Sequence, residues 1–201
     1  MKFLVLSTAV FLALSCSPKK NQYTRMEGKV FGTYYSITYK SGEDYRTEIE
    51  DLLHEYAQGV SKYDSTSEVS DFNKNGTLRF RSPYLKALFN QKKELYEVSD
   101  EALDPTLMPL IEAFGLGTAK PTNLDSAEVD SLLQLVNFNS IVLKDSKLEN
   151  SKRGVTLDLN AIGEEYGIDL VGDGLKRQGI IDFKVEIGGK VLCSGLNADS
   201  K

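Results

Sequence analysis

The 201 residues carry 24 Lys and Arg against 29 Asp and Glu, a formal net charge of -5, and 41% of them are hydrophobic. That apolar share is too high for a disordered chain, and the acidic balance argues against nucleic acid as a partner, since such binders present a basic face. A single histidine excludes sites that need two, including His-rich zinc centres and the two-histidine iron triad.

The chain opens with Met1-Lys2 and an apolar run from Phe3 to Leu14. Such a run is shorter than the roughly 20 residues a bilayer span requires, and it matches the core of a signal peptide. Leu12-Ala13-Leu14-Ser15-Cys16 resembles a bacterial lipobox, in which Cys16 is lipidated and anchors the mature protein to a membrane. This divides the chain into a signal peptide over 1–15, a lipid-anchored tether over 16–25 and a folded domain over 26–201. With Cys16 modified, Cys193 has no partner, and its apolar surroundings (Lys190-Val-Leu-Cys193) predict a buried small hydrophobe rather than a nucleophile.

Residues 28–40, rich in β-branched and aromatic types, predict strand, turn and strand. Ile49, Leu52, Leu53, Tyr56 and Val60 recur at helical spacing over 43–60, and His54 falls off that stripe, toward solvent. A polar loop over 61–75 and a short strand over 77–81 come next. Ser82-Pro83 then reads as a helix start, with Ser82 as the N-cap and Leu85, Leu88, Phe89, Leu95 and Tyr96 inward. A short apolar helix ends at Phe114, before Gly115 and Gly117. Asp125 with Glu128 predicts a capping box for a helix through Val136. Strands over 140–143 and 155–159, a helix over 161–176 and a strand over 183–187 complete the order. The irregular interleaving favours α+β over a doubly wound sheet. Ile187-Gly188-Gly189-Lys190 reads as the turn of a hairpin whose last strand lacks a neighbour, so the C-terminal part of the domain is expected to be missing.

Four segments combine polar groups with exposed backbone. Ser61–Glu68 places hydroxyls and a carboxylate after a helix. Ala102-Leu103-Asp104-Pro105-Thr106 sets a carboxylate before a helix, where an N-cap is the plain reading. Asp158-Leu159-Asn160-Ala161-Ile162-Gly163-Glu164 runs into a helix start, whose N–H groups and dipole suit an anion such as a phosphate, while its acids suit a hard divalent cation; ordinary capping explains it too. Glu186-Ile187-Gly188-Gly189 lets backbone approach a ligand closely, as a hairpin turn also would.

Taken in order, Gly32-Thr-Tyr-Tyr-Ser36, Ser61-Lys-Tyr63 with Ser67–Asn73, Asp104-Pro-Thr106 with Phe114-Gly115, Asp158–Asp169, and Ile187-Gly-Gly189 with Ser194-Gly195 resemble the FAD:protein FMN transferases of the ApbE type. The resemblance runs from about residue 28 onward and implies a T-fold-like α+β domain of mixed strands and helices. It implies a Mg2+-dependent reaction in which FAD is split at its pyrophosphate, FMN is joined through a phosphoester to a threonine of an acceptor flavoprotein subunit, and AMP leaves. The same site using water would be an FAD pyrophosphatase, and a chain that binds without turnover would be a non-enzymatic flavin-binding lipoprotein. By position, the resemblance assigns FAD contacts to Phe31, Tyr63, Ala102, Leu103, Asp104, Asp158 and Glu164, and a magnesium ligand to the carbonyl of Ala161. Glu165 stands where the family has glycine, and a carboxylate there would repel a phosphate; as a residue in a first helical turn it also reads as a solvated acid. The family's later aspartate and threonine, four residues apart, have no counterpart after Gly195. The implied location is the periplasm-facing side of a bacterial envelope membrane.

Overall fold

β-Branched and aromatic side chains alternate with polar ones from Tyr23 to Lys40, and a positive-φ pair interrupts them at Phe31-Gly32 (φ 54° and 78°). The result is an antiparallel hairpin, β1 (Tyr23–Val30) and β2 (Thr33–Lys40), closed by a two-residue turn of the kind that needs φ > 0 at both positions. The computed structural model describes residues 22–116 and 120–197; the lipobox, with Cys16, lies outside them. β1 begins inside the segment read as tether, because Met26 is buried and its neighbours pair with β2 as far back as Tyr23.

The elements that follow are α1 (Arg46–Val60), α2 (Glu68–Asn75), β3 (Thr77–Arg79), α3 (Pro83–Val98), α4 (Met108–Ala113), α5 (Ser126–Leu133), a 3-10 turn at Phe138–Ser140, β4 (Ile141–Lys144), β5 (Lys147–Asn150), α6 (Asn160–Arg177), β6 (Phe183–Ile187) and β7 (Lys190–Ser194). They form a four-stranded antiparallel sheet in the order β1-β2-β6-β7 and a three-stranded one in the order β3-β5-β4. This is the α+β class that the sequence predicts.

Two apolar clusters hold the frame. Tyr35, Ile37 and Tyr39 of β2 and Phe183, Val185 and Ile187 of β6 line one face of the larger sheet at period two, against Ile49 and Leu53 of α1 and Ile168, Val171 and Leu175 of α6. The second cluster joins Tyr56, Phe72, Leu85, Leu88, Phe89 and Phe138 to Leu148 and the segment 155–159. The apolar stripe of α1 is the predicted one, and His54 is exposed.

The structure revises several expectations. The loop predicted over 61–75 holds a helix, α2, because Ser67 caps it through the N–H of Ser70, Val69 and Phe72 are buried one turn apart, and Gly76 ends it at φ 69°. Residues 155–159 alternate apolar and polar types like a strand but join no ladder; the real partner of β4 is β5, reached through Asp145-Ser146, both at positive φ. Helix α5 has the predicted capping box and stops at Leu133, short of Val136. Cys193 is exposed, not buried, because Leu192 takes the inward position of β7 and its neighbours alternate outward.

Ser82 occupies the N-cap position of α3 without making a side-chain capping bond. Glu68, 3% exposed, does the capping from α2: its two oxygens accept the N–H groups of Arg81 and Ser82, each at 2.9 Å. Glu68→Gln keeps one acceptor and sets an NH2 against the other donor, so it should cost about 1–2 kcal/mol. Urea unfolding checks this, and an unchanged midpoint would remove Glu68 from the capping of α3.

Candidate functional site

Tyr63, Ala102, Leu103, Asp104, Asp158 and Ala161 all line one cavity of about 360 Å3. They reach it from three separate stretches: the turn after α1, the loop before α4, and the start of α6. The backbone ties these stretches together where no sheet does. Asp158 N–H donates to the carbonyl of Pro105 at 2.7 Å. Leu157 exchanges two hydrogen bonds with the side chain of Asn73, N–H to Oδ1 at 2.7 Å and Nδ2 to carbonyl at 2.9 Å. In effect Asn73 replaces the strand partner that residues 155–159 lack.

Asp104 is not the N-cap of α4; that position is held by Leu107. Instead its Oδ1 accepts the N–H of Thr106 at 2.7 Å and the Thr106 hydroxyl at 2.5 Å, while the same hydroxyl oxygen accepts from Asn137 N–H at 2.8 Å. The carboxylate thereby fixes the loop that presents Ala102 and Leu103. Asp158 Oδ1 accepts Asn160 N–H at 2.9 Å, taking one of the free donors of α6, so capping is what this segment does locally. Its Oδ2 accepts from Lys62 Nζ at 3.1 Å, with the two side chains only 12% and 10% exposed.

Phe31 and Glu164 stand outside the lining of this cavity. Phe31 holds a left-handed backbone, which is strained for a bulky residue, and sets its ring edge-on to Tyr56 at 5.1 Å. Its turn nevertheless adjoins the site, because the ring of Tyr63 lies over Gly32, 3.5 Å from where a Cβ would be. Glu164 pairs with Lys190 and sits so close over Gly188 that a side chain there would overlap it. Tyr56 steadies the start of α6 by donating its hydroxyl to the Gly163 carbonyl at 2.8 Å; burial pushes that phenol well above its usual range, so it stays a donor.

Two charged residues of the cavity, both lysines, were not singled out from sequence. Lys62 Nζ lies 5.4 Å from the centre of the Tyr63 ring and 3.5 Å from Met108 Sδ. Lys92, on α3, is 3% exposed and lines the same cavity. The helical stripe that predicts an inward Leu88 and Tyr96 also turns position 92 inward, and that was the available signal. The rim is apolar and open: Tyr63 is 55%, Leu103 50% and Leu116 80% exposed. A polar groove of about 470 Å3 beside α2 is larger, but three of its charged groups are already engaged, Arg81 on Asp71 at 2.9 Å and Glu68 on two amides.

Ala161 can offer a metal only its main-chain carbonyl, and among the described residues no group of three or more His, Cys, Asp or Glu is placed to hold an ion. Asp158, an acid lining the same cavity, is bonded to a lysine and an amide. These residues do not by themselves fit a magnesium ion, and no chemical step is derived through one.

The fold is α+β, and its cavity, with charged walls and an apolar rim, lies among the turn after α1, helix α3, the segment around α4 and the start of α6; cavities of this kind suit small ligands with both polar and apolar parts. The chain belongs to the ApbE family, whose sequence profile matches residues 31–201. It is similar to the FAD:protein FMN transferase of Vibrio cholerae (28% identical, covering 99% of this chain and 63% of the relative) and to that of Haemophilus influenzae (28%, 98% and 62%). In structure it resembles the flavin transferase ApbE of Vibrio cholerae, with a TM-score of 0.80 at 28% identity over 89% of this chain and 61% of that one. The apo flavinyl transferase ApbE of Pseudomonas stutzeri gives 0.79 at 25% identity over 90% and 63%. The chain thus spans somewhat under two thirds of the length of the relatives it matches.

Proposed function

We propose that this chain belongs to an FAD:protein FMN transferase and supplies its FAD-binding pocket. The observation that carries this is the convergence of Tyr63, Ala102–Asp104, Asp158 and Ala161, remote in sequence, on one cavity. In this reading the open faces of Tyr63 and Leu103 take the flat isoalloxazine ring, since aromatic and apolar surfaces recognise it by stacking and burial. Lys62, held in place by Asp158, faces the anionic part of the ligand. FAD is cleaved at its pyrophosphate, the flavin-bearing phosphate passes to a threonine hydroxyl of an acceptor flavoprotein, and AMP departs with the bridging oxygen.

Magnesium enters the reading from the family resemblance rather than from a donor set in the pocket, and its test is the same assay run with EDTA. A lipid on Cys16 and a periplasm-facing membrane location belong to the reading too; a mass shift on the N-terminal peptide from membranes tests them. No helix of the described residues is long and apolar enough to cross a bilayer.

The deciding experiment incubates the protein with FAD, Mg2+ and an acceptor domain. AMP release with a flavin-sized mass gain on the acceptor is expected. AMP without that gain would mean hydrolysis, and FAD binding without AMP would mean a binding protein; either overturns the transferase. Tyr63→Ala should weaken FAD binding about tenfold, through the lost stacking surface. Because Tyr63 is half exposed, the melting temperature should hold. Equal FAD affinity in flavin-fluorescence titrations would remove Tyr63 from the site.

A further inference from the structure

We propose that Lys92 anchors a phosphate of the ligand in the cavity, beside Lys62. The inference rests on the FAD-binding reading above and adds a residue that the family resemblance does not supply.

Every other buried side chain of α3 is apolar or aromatic: Leu85, Leu88, Phe89 and Tyr96. A leucine at position 92 would continue that stripe at no electrostatic cost, whereas a buried ammonium group loses its hydration and is unfavourable unless it is compensated. The compensation within the protein is incomplete. Lys92 feels the charges of Asp158 and Glu165, but burial outweighs them and holds its pKa below the ordinary lysine value. Asp158 is already committed to Lys62 and to Asn160 N–H, and Glu165 has its Oε1 3.6 Å from Lys190. Among the described residues Lys92 Nζ makes no hydrogen bond, and Glu165, whose side chain is partly exposed, keeps its Oε2 buried without one.

The cavity therefore holds a cation whose donors are free; of the two carboxylates near it, Asp158 is engaged by Lys62 and Asn160, and Glu165 stands outside the cavity lining. A phosphate suits that position, since a lysine ammonium binds it as a compact point charge with three donors. Lys62 and the first turn of α6, at Asn160 and Ala161, line the same cavity and add to the positive field. The opposite reading is that Lys92 serves only to neutralise Asp158 and Glu165.

The two readings separate in one set of titrations, with FAD and riboflavin as probes and melting temperature recorded in parallel. Riboflavin carries the ring without a phosphate. For Lys92→Met the expected results are an FAD affinity roughly ten- to hundredfold weaker, riboflavin affinity unchanged, and a melting temperature no lower than that of the parent. Unchanged FAD affinity, or equal losses for FAD and riboflavin, would overturn the inference. So would a lower melting temperature with FAD selectivity intact, which marks a structural ion pair. Glu165→Gln supplies an independent test should the first variant not fold: removing a carboxylate that competes for Lys92 should tighten FAD binding severalfold, and unchanged or weaker binding would overturn the inference. A parent protein that binds neither probe would refute the FAD-binding reading itself.

Discussion

Asp158→Asn should lower the stability of the protein by about 3 kcal/mol, and adding Lys62→Met to it should recover at least half of that loss. Asparagine keeps the oxygen that accepts Asn160 N–H, so the start of α6 stays capped. What disappears is the charge. Lys62 then sits 12% exposed with no carboxylate at hydrogen-bond distance, and Lys92, more deeply buried, loses one of its two compensating neighbours. Removing one partner of a buried pair costs about 3–5 kcal/mol, because the survivor remains desolvated and unpaired; replacing both by neutral groups of similar size is close to neutral. The residual exposure of this pair places the single variant at the lower end of that range. Urea unfolding of the parent, the single and the double variant, with unchanged m-values, measures it. A double variant no more stable than Asp158→Asn would mean that the contact at 3.1 Å contributes nothing.

Asn73→Ala should cost about 3 kcal/mol and weaken ligand binding as well, although Asn73 does not line the cavity. Its amide bonds both the backbone N–H and the carbonyl of Leu157, and Leu157 is fully buried. Alanine strands one donor and one acceptor, each at about 1–3 kcal/mol. Leu157 directly precedes Asp158, so slack in this peptide passes to the carboxylate that holds Lys62. Asn73→Asp retains the acceptor for Leu157 N–H and loses the donor to its carbonyl, and should fall between parent and alanine. Hydrogen exchange gives a local check: the amide of Leu157 should lose protection in the alanine variant while those of β2 and β6 keep theirs. Protection unchanged at Leu157 would show that some other group holds the segment.

The elements legible in the sequence were those whose signal is local. The stripe Ile49, Leu53, Tyr56 and Val60, the capping box of Asp125 and Glu128, and the alternation in β2 and β6 each follow from a period or a cap within a few residues. Helix α2 carried such signals as well, Ser67 before it and Gly76 after it, but its polar residues masked the single buried turn of Val69 and Phe72. The segment 155–159 shows the opposite failure. Its apolar and polar residues do alternate, yet that alternation does not report pairing, and here the hydrogen bonds go to a side chain and to the Pro105 carbonyl.

By itself, the sequence determined the α+β class, the order of most elements, the family, and six of the residues that meet in the cavity. It also left both lysines unmarked, Lys62 in a turn and Lys92 on an otherwise apolar helical face, because neither position carries a sign of what surrounds its ammonium group. Only the tertiary structure decided that Lys62 is spoken for by Asp158 while Lys92 is not, that Phe31 and Glu164 stand beside the cavity rather than in it, and that Glu68 rather than Ser82 caps α3. Those are distinctions of distance between groups far apart in the chain. Periodicity and propensity act through neighbouring residues, so they carry no information about such distances.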